Sequence, residues 1–487
     1  MGVEARVPTR SMTIGGEPRQ AATGETIEAR NPATGDLVAR FPRGRAQDVD
    51  DAVRAAAVAF ETWRHVPPVE RGALVGRLAG LIAEHGRELA MLDVVDNGSP
   101  IREMRGDVDK AVAQLRYFAG LPLQVRGETI PGDAGRLNYT LLQPFGVVGR
   151  IIPFNHPLLF AAAKAAAPLV AGNTLVLKPS EHTSLSTLRL AELAAEVLPP
   201  GVLNVVTGYG EEAGDALAAH PDVRRLAFTG AAEVGLRIQR RAATHVIKTV
   251  TLELGGKNPI VVFPDADVEQ AIDGALAGMA FTWQGQSCGS TSRLLVHRSL
   301  HERFVRRLAE RMDALVVGPP ADEGTDTGAI VHRRQYEKVL RYIALGVEEG
   351  ADLVAGGAPA PQDAPSDGGM FVRPTLFDNV RPGSRLAQEE IFGPVLAAMP
   401  FDDYDEAIAI ANGVSLGLTA SVYTRDLSIA HRWARDVEAG YVWVNDTQKH
   451  FLGTPYGGVK DSGVGREESL DEVLSYCQVK NVNVRHG

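Results

Sequence analysis

The stretch VVGRIIPFNHPLLFAAAKAAAPLVAGNTLVLKPSE, residues 147–181, decides the fold. Its apolar run at 147–154 is typical of a buried strand, the alanine-rich segment at 157–171 of a helix, and TLVLKPS at 174–180 of a second strand. Further along come helices predicted at 184–198, 211–219 and 232–243 and strands predicted at 203–208, 224–230 and 249–256. Strands that alternate with helices form βαβ units. The sequence therefore predicts an α/β fold with a parallel sheet, whose ligands bind beyond the carboxyl ends of the strands.

The segments on either side follow other patterns. Apolar residues at helical spacing predict the upstream helices, at 46–63, within 69–95 and at 108–120. Residues 128–146 hold turn signals between two extended runs and predict a hairpin, and the closing SYCQVKNVNV at 475–484 alternates like a strand. A second alternation of strands and helices starts at 259 and runs to about 446, so we expect a second α/β domain. The Pro- and Gly-rich segment 357–369 is expected to be a surface loop.

The composition limits the classes of function. The 487 residues are 45% apolar and 23% charged, which is ordinary for a soluble globular protein of two or three domains. A net charge of −10 argues against nucleic acid as a partner, because phosphate binding needs a clustered basic surface. The two cysteines cannot build a disulfide framework, so a reducing compartment is expected. The N-terminus lacks the apolar core of a signal peptide, and Lys164 and Pro168 interrupt the longest apolar stretch, 158–172. We therefore expect a cytoplasmic protein that does not span a membrane.

Two glycine-rich loops are candidates for binding a phosphate. TGYGEEA at 207–213 fits the pattern G-x-G-x-x-A after a strand, although glycines in that place more often only form turns. TGAAEVG at 229–235 has the glycine spacing of a P-loop but lacks its Lys-Ser/Thr ending, which argues against a nucleoside triphosphatase. Lys178 and Glu181 follow a strand directly. A carboxylate there accepts hydrogen bonds from both ribose hydroxyls of a dinucleotide, although a surface ion pair is the alternative interpretation.

Three other side chains can serve chemistry or structure. Glu253 lies between an apolar strand and two glycines, where a raised pKa suits a general base, and the alternative is a capping or surface residue. Asn155 precedes a helix, so it is either the helix N-cap or a donor to an oxyanion. The neighbouring His156 could pair with a cysteine, which is one of many uses of histidine. No metal site is predicted.

Cys288 has unusual neighbours for a cysteine. It lies in TWQGQSCGSTSR at 282–293, among glycines and small hydroxyl residues, whereas Cys477 has the surroundings of a structural residue. An open polar loop suits a cysteine that has to be reached, and the thiolate, which is the reactive form of the side chain, is favoured by an accessible, electropositive setting. Cys288, Glu253 and Asn155 then supply a nucleophile, a base and an oxyanion donor beside a dinucleotide site.

Seven motifs occur in the order used by one known family, namely PFNHP, KPSE, FTG-x-x-x-x-G, LELGGKNP, GQSC, EEIFGPV and PYGGVKDSGVGRE. In these motifs, and over about residues 27–484, the chain resembles the aldehyde dehydrogenase superfamily, of the NAD(P)-dependent, hydrolytic, non-acylating type. The resemblance implies a Rossmann-like cofactor domain from 1–125 and 146–254, a catalytic domain at 255–456, and an oligomerisation arm from 126–145 and 457–487. It also implies a homodimer or a homotetramer.

The resemblance assigns roles to individual residues. Cys288 is implied to be the nucleophile, Glu253 the base that activates water, and Asn155 an oxyanion donor together with the backbone N–H of Cys288. Lys178 is implied to be a catalytic residue as well, and also to bind the adenosine ribose of the cofactor. The implied cofactor-binding residues are Ile152, Pro153, Phe154, Lys178, Ser180, Glu181, Gly210, Gly214, Phe228, Thr229, Gly230, Ala231, Val234, Leu254, Gly255, Gln335, Lys338, Glu390 and Phe392. NAD is expected rather than NADP, because Glu181 would repel a 2′-phosphate.

The implied reaction is the oxidation of an aldehyde to its carboxylic acid, through a thiohemiacetal and a thioester on Cys288. Only hydrolysis of the thioester requires Glu253. Its presence therefore favours water over coenzyme A as the acyl acceptor, since acylating relatives lack that base.

The predicted substrate pocket departs from the usual residues of the family. Its predicted lining is His156, Leu159, Ala163, Trp283, Ser287, Gly289, His450, Phe451 and Tyr456. Ala163 stands where bulky aromatic residues are common, so we expect a wide pocket and a bulky or aromatic aldehyde. The alternatives are a betaine-type aldehyde held by aromatic faces, a semialdehyde bound through a cation such as Lys449, and a catalytically silent binding member of the family.

Overall fold

The computed structural model describes residues 7–357 and 369–486, so most of the predicted surface loop at 357–369 lies outside the described residues. The N-terminal elements are β1 (Met12–Ile14), β2 (Glu17–Arg19), β3 (Thr26–Arg30), β4 (Leu37–Pro42), α1 (Ala46–Trp63), α2 (Pro68–Glu84), α3 (Gly86–Asn97) and α4 (Ile101–Ala119). α1 has its predicted bounds. α4 starts before the predicted residue 108, because its helical turns extend back to Pro100 at the N-cap.

The predicted hairpin and the first set of βα units follow. They are a 3₁₀ turn (Pro122–Gln124), β5 (Thr129–Ile130), β6 (Arg136–Pro144), β7 (Val147–Ile151), α5 (Pro157–Val170), β8 (Thr174–Lys178), α6 (Leu185–Ala195), β9 (Leu203–Val205), a π-helical turn (Gly210–Gly214), α7 (Asp215–Ala219), β10 (Val223–Thr229), α8 (Ala232–Ala242) and β11 (Thr249–Glu253). Every residue of β7 and β8 is buried. Such continuous apolar runs are typical of parallel strands covered by helices on both faces.

The second set of units and the C-terminal segment complete the chain. They are β12 (Pro259–Val262), α9 (Val268–Gly278), a 3₁₀ turn (Phe281–Trp283), β13 (Arg293–His297), α10 (Arg298–Asp313), α11 (Arg333–Glu348), β14 (Asp352–Ala355), β15 (Thr375–Asp378), α12 (Arg385–Gln388), β16 (Val395–Phe401), α13 (Tyr404–Asn412), β17 (Leu416–Gly417), β18 (Thr419–Tyr423), α14 (Leu427–Asp436), β19 (Tyr441–Val444), β20 (Val459–Lys460), β21 (Gly463–Val464), α15 (Leu470–Ser475) and β22 (Cys477–Arg485). Side chains of Asp267, Asp403 and Asp426 accept hydrogen bonds from the first turns of α9, α13 and α14 and fix where these helices begin.

The first sheet has the strand order β2-β1-β9-β8-β7-β10-β11-β21. Its five central strands are parallel, whereas β1, β2 and β21 pair antiparallel at the edges. The chain order reverses between β7 and β10, and an open α/β sheet binds ligands at such a switch point. Asn155 follows β7 and Gly230 follows β10, so the fold brings both to this point.

The second sheet has the strand order β14-β15-β16-β13-β12-β18-β19 and is parallel except for β14. Apolar residues on both of its faces form two buried clusters under the surrounding helices. Cys288 lies in the loop between the 3₁₀ turn and β13. The predicted α/β class is thus confirmed for both domains.

The predicted arm is a three-stranded sheet in which β6 pairs along its length with β22 and at its start with β5. The segment 457–487, which the prediction assigns to the arm, also contains elements that pair outside the arm sheet. β20 pairs with β17, β21 pairs with β11 at the edge of the first sheet, and α15 packs against α5. Residues 457–476 therefore contact elements of the first sheet and of the second set of units, and within 457–486 it is β22 that pairs with the hairpin. Within 7–357 and 369–486, no helix combines the length and the apolar character that crossing a membrane requires.

Candidate active site

One cavity of about 540 Å³ gathers side chains from both domains, including Cys288 and Glu253. Of the predicted pocket residues, the cavity is lined by His156, Leu159, Trp283, Ser287, Gly289, His450, Phe451 and Tyr456. Ala163 is not part of this lining, which corrects its predicted place in the pocket. The reason is that its methyl group is fully buried within the packing of α5.

Cys288 is held by its backbone in the loop before β13. Asn258 Nδ2 donates hydrogen bonds to the carbonyl oxygens of Cys288 (2.7 Å) and Ser290 (2.9 Å). The sulfur lies 3.9 Å from the hydroxyl oxygen of Tyr456. Burial raises the pKa of the thiol to about 12; the Tyr456 hydroxyl opposes this rise, and nearby carboxyl groups, among them Glu253, add to it. The Cys288 side chain is nevertheless only half-buried and lines the cavity, so the sulfur is accessible, while its burial and the nearby carboxyl groups disfavour the thiolate.

Glu253 ends β11 and is almost fully buried. Neither of its carboxyl oxygens has a hydrogen-bond partner among the described residues. Burial and the nearby charge of Glu467 raise its pKa well above the ordinary value, which confirms the predicted direction. Gly457 contributes to this lack of contacts, since a Cβ there would lie 2.9 Å from Glu253 Oε1. The carboxyl group is therefore free to contact a ligand or water in the cavity.

A buried cluster of charges, which the sequence motifs did not reveal, lies on the same cavity wall. Glu467 Oε1 accepts a hydrogen bond from Arg150 Nη1 at 2.7 Å, and its Oε2 lies 2.8 Å from Lys164 Nζ. Burial alone would raise the pKa of Glu467, but the two cations lower it to about 2. The available signal was a single charge inside each of two apolar runs, at β7 and in α5, since such a charge needs a buried partner.

Asn155 does not cap the helix that follows it. α5 begins at Pro157 after His156, and the Leu158 N–H in its first turn donates instead to Asp93 Oδ2 at 3.2 Å. Asn155 is nearly fully buried, and its Oδ1 has no partner in the part of the chain that the structure describes. The Asn155 side chain lies at the switch point of the first sheet. Because its Oδ1 does not accept a hydrogen bond from the described backbone, the side chain does not fix the local fold.

Lys178 and Glu181 lie at the carboxyl end of β8, outside the lining of the cavity that holds Cys288. Lys178 Nζ donates a hydrogen bond to the carbonyl oxygen of Pro179 (2.8 Å) and contacts Glu181 Oε2 at 3.4 Å. Burial raises the pKa of Glu181, but Lys178 and His182 bring it below its ordinary value. An ionised carboxylate held beside a lysine at a strand end suits the two hydroxyls of a ribose.

A loop from the second domain brings Glu390 and Phe392 to the first sheet. Glu390 Oε1 accepts a hydrogen bond from the Gly256 N–H at 3.0 Å, and the ring centroid of Phe392 lies 5.6 Å from that of Phe154. Side chains from α11 hold this loop: Gln335 Nε2 donates to the carbonyls of residues 391 (2.9 Å) and 392 (2.8 Å), and Lys338 Nζ donates to the carbonyl of residue 390 (2.8 Å). The polar ends of these two α11 side chains are thus bound to the loop itself.

The other predicted cofactor residues share one location, at the carboxyl ends of the first sheet. They are Ile152 and Pro153 after β7, Ser180 after β8, Gly210 and Gly214 in the π-helical turn, Phe228 and Thr229 at the end of β10, Gly230 and Ala231 before α8, Val234 within α8, and Leu254 and Gly255 after β11. Space is tight where α8 approaches this edge, since a Cβ on Gly235 would lie 2.8 Å from Leu254. The arrangement fits a dinucleotide laid across the switch point.

The histidines of the cavity pair with carboxylates rather than with Cys288. His156 Nδ1 lies 2.6 Å from Asp107 Oδ2, and His450 Nδ1 lies 2.9 Å from Glu468 Oε2. The suggested Cys–His pair is therefore wrong, because the only side-chain hydrogen-bond partner of the sulfur among the described residues is Tyr456. The His450 ring also stacks on Tyr456, with centroids 4.5 Å apart.

The first sheet is doubly wound and has a switch point that suits a dinucleotide, and the second α/β domain supplies a cysteine. This combination is typical of cofactor-dependent oxidoreductases. The family model described as "Aldehyde dehydrogenase family" matches residues 19–482. The chain therefore belongs to the aldehyde dehydrogenase family, a family of enzymes.

Named relatives resemble the chain over nearly its whole length. Phenylacetaldehyde dehydrogenase from Pseudomonas fluorescens is 44% identical over an alignment of 492 positions, which covers 99% of this chain and 97% of that protein. The NAD⁺ complex of an aldehyde dehydrogenase from Bacillus cereus has a TM-score of 0.95 at 42% identity, covering 98% of this chain and 96% of that one. The indole-3-acetaldehyde dehydrogenase of P. syringae, a mutant solved with NAD⁺ and IAA, has a TM-score of 0.95 at 40% identity with the same coverage.

Proposed function

We propose that this protein oxidises an aromatic aldehyde to the carboxylic acid with NAD, using Cys288 as nucleophile and water as the acyl acceptor. The observation that carries this proposal is that Cys288 and Glu253 line one cavity of about 540 Å³. A cysteine able to form a thioester and a carboxyl group able to activate water are the two groups that the hydrolytic reaction needs.

Cys288 and Asn155 carry the first half of the reaction. The sulfur bonds to the aldehyde carbon, the thiol proton passes to water, and the carbonyl π electrons move to oxygen. The Asn155 amide and the backbone N–H of Cys288 stabilise that oxyanion, and one such donor is worth about 10²–10³ in rate. NAD, when bound, supplies the hydride acceptor that turns the thiohemiacetal into a thioester.

Glu253 carries the second half. Its ionised form takes a proton from water, the water oxygen bonds to the thioester carbon, and the carbon–sulfur bond breaks to release the acid and Cys288. Because burial raises the pKa of Glu253, its conjugate base is stronger than an exposed carboxylate and better matched to work near neutral pH.

The carboxyl ends of the first sheet are the proposed NAD site. Glu181, ionised beside Lys178, would accept hydrogen bonds from the adenosine ribose and disfavour the 2′-phosphate of NADP. Gly230 and the start of α8 would flank the pyrophosphate, where helix N–H groups favour an anion. Phe392 and Glu390 would contact the nicotinamide and its ribose. The NAD⁺ complex of the Bacillus cereus relative supports this choice of cofactor.

Three observations support an aromatic substrate. Trp283, Phe451 and Tyr456 give the cavity aromatic walls. The relatives named for phenylacetaldehyde and indole-3-acetaldehyde act on aldehydes of this class. Against a semialdehyde, Lys449 is mostly exposed and paired with Asp446 at 3.3 Å, so it does not offer a free cation to the cavity.

We also propose a cytoplasmic homo-oligomer assembled through the arm. The arm sheet exposes apolar side chains that an assembly would cover, including Ile130, Leu141 and Val479, which is 70% exposed. Cys288 and Cys477 are both free thiols, as suits a reducing compartment.

The proposal is tested by following absorbance of reduced NAD with phenylacetaldehyde and related aldehydes. Cys288→Ala should abolish turnover, whereas Glu253→Gln should give one burst of reduced NAD and then stop, because the thioester is not hydrolysed. Cys477→Ala is the matched control and should turn over normally, since that cysteine lies in the arm. Normal turnover by Cys288→Ala would refute the mechanism, and an absence of reduced NAD from wild type with every aldehyde would refute the activity.

A further inference from the structure

His156 forms a hydrogen-bonded pair with a buried carboxylate behind the cavity wall. Its Nδ1 lies 2.6 Å from Oδ2 of Asp107, whose Oδ1 lies 3.1 Å from Lys110 Nζ. Burial alone would raise the pKa of Asp107, but His156 and Lys110 together bring it below its ordinary value. The carboxylate is therefore ionised at neutral pH. Since an ionised carboxylate only accepts hydrogen bonds, Nδ1 of His156 carries the proton and donates.

The other nitrogen of the His156 ring is left for a ligand. The ring is held between Phe160, which it meets edge-on with centroids 5.5 Å apart, and Trp283, at 5.4 Å. His156 lines the cavity that also holds Cys288, and its Nε2 makes no hydrogen bond to the residues described by the structure. An imidazole that carries its one proton on Nδ1 has a lone pair at Nε2, with which it accepts a hydrogen bond from a donor.

The charges of the wall favour a neutral ligand. Lys110, Lys164 and Lys449 line the cavity, and each is paired with a carboxylate, at 3.1, 2.8 and 3.3 Å. An aldehyde with a carboxylate tail therefore meets no free lysine on the described wall. Lys110 Nζ also lies 4.8 Å from the ring centroid of Trp283, so the chain's own ammonium occupies a face that a cationic ligand would need.

We infer that His156 is a specificity-determining residue that selects aromatic aldehydes with a ring hydroxyl remote from the aldehyde carbon. The hydroxyl donates its hydrogen bond to Nε2, and Trp283 and Leu159 provide apolar surface for the ring. Asp107 and Lys110 are positioning residues, because they fix the proton on Nδ1 and so make Nε2 an acceptor. This inference rests on the proposed aldehyde oxidation and narrows its substrate class.

The first test compares two substrates that differ in one hydrogen-bond donor. The ratio of kcat/KM for 4-hydroxyphenylacetaldehyde to that for 4-methylphenylacetaldehyde is measured with NAD in wild type and in His156→Leu. We expect the ratio to fall about 3- to 10-fold in the variant, the equivalent of one net hydrogen bond. The electronic effect of the substituent is common to both proteins and cancels. His156→Gln, which restores an acceptor oxygen, should recover part of the ratio.

The second test inverts the hydrogen-bonding polarity of His156. In Asp107→Asn, Lys110 retains the amide oxygen, so the amide NH₂ faces Nδ1 and moves the imidazole proton to Nε2. The variant should then favour 4-methoxyphenylacetaldehyde, which only accepts hydrogen bonds, over 4-ethylphenylacetaldehyde by about 3- to 10-fold more than wild type does. If Asp107 had a purely structural role, its replacement would lower kcat/KM for both substrates by the same factor.

The outcomes separate this inference from the proposed function. An unchanged hydroxyl-to-methyl ratio in His156→Leu, with phenylacetaldehyde still oxidised, overturns the role of His156 and leaves the proposed activity standing. An absence of reduced NAD from every aldehyde overturns both. If Asp107→Asn fails to fold, as a melting curve would show, the Leu and Gln variants of His156 decide the question.

Discussion

Two buried carboxyl groups on one cavity wall, Glu253 and Glu467, have opposite electrostatic surroundings. Glu467 is bound by Arg150 and Lys164, and its pKa falls to about 2. Glu253 has no hydrogen-bond partner among the described residues, and its pKa rises well above the ordinary value. The same residue type thus has its ionised form stabilised in one place and its protonated form favoured in the other.

This difference separates structure from chemistry. Two titratable groups whose surroundings drive their pKa values apart commonly divide acid–base work between them. Glu467 is saturated with partners, so it can fix α5 and β7 against the C-terminal segment but has nothing left for a substrate. Glu253 is left without partners, which costs stability and leaves its carboxyl group available to a ligand.

The largest expected effect is loss of stability when the paired carboxylate is removed. Glu467→Gln removes the carboxylate in closest contact with the buried Arg150 and Lys164, and breaking a buried pair in this way typically costs about 3–5 kcal/mol. We expect the free energy of unfolding, measured with denaturant at pH 7, to fall by about that amount. Because the pKa of Glu467 is lowered, this contribution is present above pH 4.5 and is lost as the pH falls toward about 2.

The neighbouring Glu468→Gln is the matched control. Glu468 is also buried, but its main partner His450 is partly exposed, so the group left behind can be hydrated. The loss of stability should be clearly smaller than for Glu467→Gln. Equal losses of stability in the two variants would contradict the view that the buried partners of Glu467 make it a stronger structural anchor than its neighbour.

An effect of intermediate size concerns the rate at which the Cys288 thiol, which lines the same cavity as the unpaired Glu253, is alkylated. With a pKa near 12 instead of 9.0, Cys288 has about 10³-fold less thiolate at pH 7 than an ordinary cysteine. A more basic thiolate is also a stronger nucleophile, and this offsets about half of the logarithm of that 10³-fold loss in reaction rate. We therefore expect iodoacetamide to label Cys288 roughly 30-fold more slowly than a free thiol in cofactor-free protein.

The labelling rate should be measured by mass spectrometry in a Cys477→Ala background. It should still rise with pH beyond pH 9, since the thiol remains mostly protonated there. A rate that levels off at or below pH 8 would show that Cys288 has an accessible thiolate, as its polar loop first suggested.

The sequence predicted local features well and long-range pairs poorly. Strand and helix patterns placed Asn155, Gly230 and Glu253 at strand ends, because each position depends on its own segment. The contact of Arg150 with Glu467 joins residues 317 positions apart, and no local pattern encodes it. The pKa of Cys288 could not be predicted either, because polar neighbours along the chain do not report how deeply the fold buries the sulfur.

The expected effect that depends most on pH is a gain of stability in Glu253→Gln. In the folded protein the raised pKa keeps the Glu253 proton at a pH where the unfolded chain, near 4.5, has lost it. Wild-type stability therefore falls by up to about 1.4 kcal/mol per pH unit above 4.5, until the folded pKa is reached. Glutamine has no such proton, so the difference between variant and wild type should grow in favour of the variant as the pH rises, and stay constant below 4.5.

Denaturant unfolding of both proteins between pH 4 and pH 8 measures this difference. Glu302→Gln, on an exposed face of α10, is the control and should give curves parallel to wild type. Parallel curves for Glu253→Gln as well would mean that Glu253 ionises in the folded protein as readily as in the unfolded chain. The unpaired state of Glu253 would then carry no energetic cost, and its contrast with Glu467 would be one of geometry alone. A growing gain, together with the loss of thioester hydrolysis in the same variant, would instead show that the protein keeps a destabilising carboxyl group because the reaction needs it.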